Sequence, residues 1–351
     1  MQISMITPLF LPVRGGTEVH VYNLSKQLVK NGDVVSVHTT RNIYTERWVL
    51  PRQEVIDGIY VVRHTFYWNS DDEILHLHNL GRMFSAWNLK TIIYLLSHKE
   101  RVIFTPHHIL TIDRGKLATK LLRGGMRGVF KIIAVSEWEK KEMIRRGFPE
   151  GKITVIPNGV EDEAYELPPQ RMNSQRPYLL FLGRIYSAKN QVMAVRSLTY
   201  ARDVDLVIAG QVHEMSYLEE IRRTAKEIGV EDRVKIMENV DQVTKYKLID
   251  SSLAVVLTSE IEAEGLAIKE AMVRGKPVIV SNKAALPYLV SRENGFVITD
   301  ESELAEAVSK LLHDDNLVAE ISVNNRKRGE EWKWSAVASR VREVYLEFLN
   351  K

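Results

Sequence analysis

The sequence contains 351 residues, of which 45% are hydrophobic and 26% charged, and this length and balance predict a globular protein of two domains, each with its own core. The net charge of +3 is too small to indicate a nucleic-acid-binding protein. Because the sequence contains no cysteine, it excludes disulfide frameworks, zinc–thiolate sites and thiol nucleophiles.

The N-terminus lacks a basic segment followed by a long apolar run, and no stretch approaches the roughly 18 to 20 apolar residues of a transmembrane helix. We therefore expect neither a signal peptide nor a membrane-spanning segment. The missing cysteines fit a reducing compartment, so the expected location is cytoplasmic.

The chain begins with the pattern strand, glycine-rich turn, helix, strand. Residues 3–6 and 34–39 are short apolar runs typical of buried strands, and a helical stripe lies between them, after Gly15-Gly16. This order opens a Rossmann-like domain, in which the N–H groups at the start of the helix suit a phosphate. A tight turn without a ligand is the alternative interpretation of the two glycines.

Further strands are predicted at 60–63, 74–78, 102–105, 132–135 and 153–156, separated by segments with helical spacing. This part of the chain is rich in histidine, at His64, His76, His78, His107 and His108. Alternation along a strand places His76 and His78 on one face, but no carboxylate is positioned to complete a metal site. We therefore expect no bound metal and a structural role for most of these side chains.

Residues 114–131 combine six basic side chains with interleaved leucines. A basic amphipathic helix of this kind suits peripheral contact with an anionic membrane, here at the inner face of the membrane. A solvated surface helix is the alternative, and Gly124-Gly125 interrupts the pattern.

A turn and a polar segment separate the two halves of the chain. Residues 157–159, Pro-Asn-Gly, are a turn signal, and residues 161–175 are polar and rich in proline. Residues 178–182 then predict a strand, which is followed by Arg184 and Lys189 before the next helical stripe. Two cations on a strand-to-helix loop suit a pyrophosphate, whereas two unrelated surface cations are the alternative.

Strands are also predicted at 206–209, 234–237, 253–257 and 278–280. Glu262 lies on the loop after the third of these strands, and Glu270 lies near the start of the short helix that follows. Ligands of open α/β sheets bind at this end of the strands. Gly265 permits close backbone approach, the helix start at Leu266 suits a phosphate, and ionised glutamates accept hydrogen bonds from sugar or ribose hydroxyls. A solvated acidic loop is the alternative.

Glu262 and Glu270, with seven residues between them, resemble the E-x7-E element of the retaining glycosyltransferases of family four (GT4). The Gly-Gly at 15–16, the Pro-Asn-Gly at 157–159 and the pair of cations at 184 and 189 resemble other elements of that family, in the same order. The sequence departs at 262–266, where it has Glu-Ala-Glu-Gly-Leu and the family has Glu-Gly-Phe-Gly-Leu. This departure bears on the geometry of the loop and on the preferred sugar.

The resemblance covers nearly the whole chain and implies an α/β protein with the GT-B architecture, in which two Rossmann-like α/β domains face a deep cleft. Residues 1–165 would form the acceptor-side domain and residues 176–334 the nucleotide-sugar donor domain. A C-terminal helix at 335–351 would cross back to the first domain.

The resemblance also implies a role for each site residue. The donor diphosphate would be held by Gly15, Gly16, Arg184, Lys189, Gly265 and Leu266. Glu270 would accept the ribose hydroxyls, and Val240 lies where the family meets the nucleotide base. Glu262 and His107 would be the catalytic residues that act on the transferred sugar, with His108 as the alternative to His107 in register.

The implied function is metal-independent, retaining transfer of a sugar from a UDP-, GDP- or ADP-sugar to a carbohydrate or lipid-linked acceptor, without a cofactor and without a nucleic-acid partner. A glycogen- or starch-synthase-like or sucrose-type enzyme on the same fold is one alternative. A nucleotide-sugar 2-epimerase and a non-catalytic sensor of nucleotide sugars are the others.

Overall fold

The computed structural model describes residues 1–13, 15–41, 50–64, 70, 72–79, 93, 97, 99–107, 124, 128–172 and 174–351. These residues divide into two compact units, Met1–Gly159 with Trp334–Lys351, and Val160–Lys333. Within these ranges, no helix has both the length and the apolar character needed to cross a bilayer. His108 and nearly all of the basic segment 114–131 lie outside the described residues, and so does the predicted membrane contact.

The first unit is built on an eight-stranded sheet with the order β3-β4-β2-β1-β5-β6-β7-β8. Its strands are β1 (Gln2–Ile6), β2 (Val34–Thr40), β3 (Gln53–Ile56), β4 (Ile59–His64), β5 (Ile74–His78), β6 (Val102–Thr105), β7 (Lys131–Ala134) and β8 (Ile153–Val155). Neighbouring strands are parallel except β3 and β4, which form a hairpin through Asp57 and Gly58, both with positive φ. An Asp-Gly turn of this kind is the usual connection of a tight hairpin.

Among the residues that the structure describes, the helices of this unit are α1 (Gly16–Lys30), α2 (Glu137–Arg145) and the C-terminal helix (Trp334–Leu349), with single 3-10 turns at Lys99–Arg101 and Glu150–Lys152. Leu24 and Leu28 of α1 belong to the same apolar core as Val337 and Val341 of the C-terminal helix. The C-terminal helix therefore joins the first unit, as the resemblance implied.

The second unit is built on a six-stranded parallel sheet with the order β11-β10-β9-β12-β13-β14. Its strands are β9 (Tyr178–Leu182), β10 (Asp205–Ala209), β11 (Val234–Met237), β12 (Ala254–Leu257), β13 (Val278–Ser281) and β14 (Gly295–Ile298). Its helices are α3 (Glu163–Glu166), α4 (Gln191–Ser197), α5 (Met215–Glu227), α6 (Gln242–Ser251), α7 (Leu266–Val273), α8 (Leu286–Leu289), α9 (Glu301–His313) and α10 (Asp315–Gly329), with 3-10 turns at Ser187–Lys189, Glu231–Arg233 and Glu330–Trp332.

The strand order of the second sheet reverses between β9 and β12. From β9 the chain proceeds outward through β10 and β11, and it then returns to the other side of β9 for β12, β13 and β14. In open parallel sheets, such a reversal opens a crevice at the carboxyl ends of the two strands, where ligands bind. The loops after β9 and β12 therefore occupy the position at which a ligand is expected.

The boundary between the two units lies between Gly159 and Val160. Residues 160–165, which the sequence analysis assigned to the first domain, contact the second unit instead. The backbone N–H of Val160 donates to the carbonyl of Trp332 at 2.8 Å, and the Tyr165 hydroxyl donates to the carbonyl of Gly329 at 2.8 Å. These bonds attach the start of the polar segment to the end of α10 and the turn that follows it.

Candidate functional site

Two loops meet where the strand order of the second sheet reverses. The Thr258 hydroxyl, buried just after β12, donates to the carbonyl of Asn190 at 2.6 Å. The backbone N–H of Glu260 donates to the carbonyl of Ala188 at 3.0 Å. The loop after β9 and the loop after β12 are therefore bonded into one surface.

Lys189 and Glu262 form an ion pair across these two loops, between Nζ and Oε2. Both side chains are largely buried, with 12% and 17% of their surfaces exposed. The structure thus brings together two predicted site residues that are 73 positions apart in the sequence. The pair offers a cation to an anionic ligand and a carboxylate to a hydroxyl ligand.

Arg184 follows β9 directly and has an exposed side chain. The Gln191 amide donates to its backbone carbonyl at 2.9 Å, and its guanidinium lies 5.5 Å from the centre of the Tyr186 ring. Among the described residues, the guanidinium has no carboxylate within salt-bridge distance. Its forked set of N–H donors is therefore available to an anion.

Gly265 begins α7 in the left-handed region, with φ of 86°. A Cβ at this position would lie 3.1 Å from the Leu286 side chain and 3.2 Å from the Leu289 side chain, so both the backbone and the space favour glycine. No side chain caps the helix start, and Leu266, the first helical residue, is partly exposed. The uncapped N–H groups carry the positive end of the helix dipole, which favours an anion.

Glu270, in the middle of α7, accepts from Lys245 Nζ at 2.6 Å, and 14% of its side chain is exposed. Burial raises the pKa of the Glu270 carboxyl, and the Lys245 ammonium opposes that rise. Lys245 also lies 3.5 Å from Glu161, which accepts a hydrogen bond from the Gln242 amide. Sequence reasoning missed Lys245, because α6 contains no motif that predicts a contact with Glu270, 25 residues later.

Glu264 is the residue at which the sequence departs most in character from the family pattern. Its carboxylate is 6% exposed and contacts the Lys269 ammonium, which is 2% exposed. Lys269 Nζ lies 5.2 Å from the centre of the Trp332 ring. The departure therefore replaces an aromatic side chain with one half of a buried ion pair that links the loop to α7.

Val240 lies just after β11, on the outer side of the sheet, and packs partly against the core of the second unit. Asn239 before it has φ of 53°, and Asp241 after it caps α6 by accepting from the Thr244 N–H at 2.9 Å. This turn fixes the position of Val240. Its contact with a nucleotide base stays a prediction.

Gly15 and Gly16 lie at the start of α1 in the first unit, as predicted. The carboxylate of Glu18 folds back against Gly15. Burial raises the pKa of Glu18, and hydrogen bonds from the backbone N–H groups of Glu18 and Gly15 oppose that rise. An anion binding at this helix start would have to displace the carboxylate, which sequence reasoning did not consider.

His107 follows β6 with φ of 58°, and its Nε2 lies 3.1 Å from Nδ1 of His78. The ring of His20, from α1, lies 4.5 Å from the His107 ring between centres. Burial lowers the pKa values of both His78 and His107 well below their usual range. His20 was missed because it lies in the middle of an ordinary helical pattern.

His76 has the structural role that the sequence analysis expected. Its ring lies 3.9 Å from that of His78, on the same face of β5, as alternation predicted. Its Nδ1 lies 2.6 Å from the Tyr345 hydroxyl of the C-terminal helix, and its Nε2 lies 2.8 Å from the Thr105 hydroxyl of β6. Both ring nitrogens of His76 are therefore occupied by partners inside the core.

Two family models match the chain. The model described as "Glycosyltransferase Family 4" matches residues 14–164, and the one described as "Glycosyl transferases group 1" matches residues 165–328. The chain is 26% identical to an uncharacterized glycosyltransferase of Methanocaldococcus jannaschii, over 98% of each chain. It is also 26% identical to the phosphatidyl-myo-inositol mannosyltransferase of Mycobacterium leprae, over 98% of this chain and 96% of that one.

Among solved structures, the chain resembles the Anabaena protein HepE in complex with UDP. The TM-score is 0.80 at 17% identity, with 99% of this chain and 100% of that chain covered. At this identity the likeness concerns the fold, which is the pair of parallel-sheet α/β units found here.

Proposed function

We propose that this chain, which belongs to the family-four glycosyltransferases with the GT-B fold, transfers a sugar with retention of anomeric configuration from a nucleoside diphosphate sugar. The observation that carries the proposal is the Lys189–Glu262 pair, with the exposed Arg184 on the same loop as Lys189, at the reversal of strand order in the second sheet. These residues combine the charges that a diphosphate needs with the acceptor that a sugar needs.

The donor diphosphate is assigned to Arg184, Lys189 and the start of α7. Departure of a diphosphate leaves negative charge on its oxygens, and fixed cations and helix N–H groups stabilise that charge without reorganisation. Arg184 is exposed and Gly265 leaves α7 without a side-chain cap, so both can meet an anion. A divalent metal is not required for this stabilisation, and we propose metal-independent transfer.

The transferred sugar is assigned to Glu262. Its carboxylate accepts hydrogen bonds only, and in the free protein Lys189 neutralises it. When a diphosphate engages Lys189, the carboxylate becomes available to sugar hydroxyls. That His107 also contacts the transferred sugar stays a prediction.

The ribose is assigned to Glu270, with Lys245 as its positioning residue. Lys245 offsets part of the cost of burying the Glu270 carboxylate, and a charged carboxylate is the stronger acceptor for two hydroxyls. The nucleotide base is assigned to the turn at Val240.

The acceptor is proposed to be a lipid-linked alcohol. The relative in Mycobacterium leprae that matches nearly the full length of the chain bears the name of an enzyme that acts on phosphatidyl-myo-inositol. Membrane contact through 114–131 accords with such an acceptor and is part of the same proposal.

The experiment pairs a thermal-shift panel with a transfer assay. UDP-, GDP- and ADP-sugars are each added to the purified protein, and the one that binds raises the melting temperature. That donor is then incubated with vesicles containing phosphatidylinositol, and glycolipid formation is followed. No stabilisation by any donor would contradict the proposal, and a changed sugar nucleotide without added acceptor would favour an epimerase.

A further inference from the structure

Three histidines of the first unit converge from three elements. His20 lies in α1, His78 ends β5 and His107 follows β6. One ring nitrogen from each lies within 4.8 Å of the others, and Nδ1 of His78 is 3.1 Å from Nε2 of His107. We propose that these three imidazoles form a binding site for a divalent transition-metal cation of the zinc type.

The spacing is close to that of a metal-bound triad. Zinc–nitrogen bonds of about 2.0–2.1 Å place tetrahedral donors about 3.4 Å apart. His78 and His107 already approach this spacing, and a ring nitrogen of His20 lies within 4.8 Å of both. An all-imidazole set selects zinc, copper, nickel or cobalt over magnesium and calcium, which require oxygen ligands. Three protein ligands leave one tetrahedral position for water.

The surroundings hold the three rings in place. His76 packs against His78, and the edge of Trp334 lies against His20 at 5.3 Å between ring centres. Since both nitrogens of His76 are bonded to Tyr345 and Thr105, His76 supports the site without joining it.

The charge around the three rings combines one unfavourable and one favourable contribution for a cation. The positive start of α1 disfavours a cation, and the Glu18 carboxylate at that helix start offsets part of this effect. His107 is partly exposed, so the cluster reaches the protein surface at this residue.

The site would inhibit the enzyme and would not assist it, a consequence that rests on the proposed function. If His107 meets the transferred sugar, as the sequence analysis predicts, a metal on its ring nitrogen would block that contact. Transfer would then need no metal and would be lost when zinc is added.

The binding test uses cobalt(II) as the probe, because a tetrahedral site gives it strong visible absorption. Untagged wild-type protein should show this absorption at one equivalent, and zinc should abolish it. His20→Asn and His107→Asn should each bind at least about tenfold more weakly. Asparagine tolerates the left-handed backbone of His107. His213→Asn, an exposed position in the second unit, is the matched control and should bind like wild type.

A second readout guards against variants that simply fold poorly. Zinc should raise the melting temperature of wild type and of His213→Asn, and should not raise that of His20→Asn. Absence of the cobalt band in wild type, or a band that persists in both cluster variants, would overturn the metal site.

The transfer assay separates the metal site from the proposed function. His20→Asn should retain transferase activity without zinc and should require at least about tenfold more zinc for inhibition. If the cobalt band appears and no transferase activity is found, the metal site stands and the proposed function fails. Zinc inhibition equal in wild type and His20→Asn would contradict inhibition through this cluster.

Discussion

Arg184 and Lys189 differ in what they contact before a ligand arrives. Arg184 is exposed, whereas Lys189 is paired with Glu262 across two bonded loops. At the proposed site, a diphosphate would have to compete with Glu262 for Lys189, whereas it would meet Arg184 directly. This difference at the scale of single residues leads to separate expectations for the two cations.

Replacing Arg184 with alanine should weaken binding of the bare nucleoside diphosphate about tenfold to a hundredfold, because charge-assisted hydrogen bonds contribute about 1.5–3 kcal/mol. Lys189→Ala should weaken it at least as much, since it also leaves the Glu262 carboxylate uncompensated beside the anion. Calorimetry measures both. Arg223→Ala, an exposed cation on α5, is the control, and a similar loss there would indicate a non-specific charge effect.

Gly265→Ala should destabilise the second unit by about 1–3 kcal/mol, because alanine disfavours φ of 86° and its Cβ would crowd Leu286 and Leu289. Gly229→Ala is the matched control, since Gly229 has φ of 69° but no atom near its would-be Cβ. Its cost should be limited to about 1–2 kcal/mol of backbone strain. Urea unfolding measures the loss of stability in both variants. Equal losses would show that Leu286 and Leu289 move aside without a measurable cost.

At the scale of elements, β2 and β4 place two histidines side by side. Nδ1 of His38 lies 3.0 Å from Nε2 of His64, and the rings stack. Burial, followed by the neighbouring His64, lowers the pKa of His38 to about 4, while Asp72 acts in the opposite direction. The folded protein therefore binds this proton less readily than the unfolded chain does.

The stability of the first unit should accordingly fall as the pH drops below about 6.5. His38 is protonated below that pH in the unfolded chain, whereas in the folded protein it stays neutral down to about pH 4. The loss from this one group is at most about 3 kcal/mol. Urea unfolding of wild type and His38→Asn across this pH range isolates it: the wild-type advantage should shrink on acidification. An advantage that does not change with pH would contradict the assignment.

Much of the fold could be predicted, since periodicity reports local structure. The strands at 74–78, 102–105, 178–182 and 234–237 were located to the residue. Two strands were missed. β3 is a half-exposed edge strand without a clear apolar pattern, and β14 is an edge strand that begins with a glycine and leaves Val297 exposed. In both cases, the strand forms because it pairs with a neighbouring strand, and local periodicity does not report such pairing.

The candidate site was predicted as a set of residues and not as a set of contacts. The family motif identified Glu262 and Lys189 separately, but no local pattern states that they are paired. Lys245 and His20 lie in ordinary helical patterns, and only folding brings them to Glu270 and His107. Side chains far apart in sequence meet through the order of strands, which periodicity does not report.

At the scale of the whole molecule, the proposed chemistry depends on fixed protein charge. Transferase activity should survive excess EDTA, because Arg184, Lys189 and the start of α7 supply the charge that a metal supplies elsewhere. Activity after dialysis against chelator, with and without added magnesium or manganese, measures this. Loss on chelation with recovery on adding either metal would contradict the proposed diphosphate site.

The most direct test of the central claim compares Glu262→Gln with Arg184→Ala. If Glu262 holds the sugar, its loss removes nothing that the bare nucleoside diphosphate contacts, and it frees Lys189 from its partner. Calorimetry should find nucleoside diphosphate affinity for Glu262→Gln unchanged or tighter, within about tenfold of wild type, or about 1.4 kcal/mol. Sugar transfer by the same variant should fall by at least about a hundredfold. Nucleotide affinity lost as severely as in Arg184→Ala, in a variant that remains folded, would contradict the placement of the sugar at Glu262.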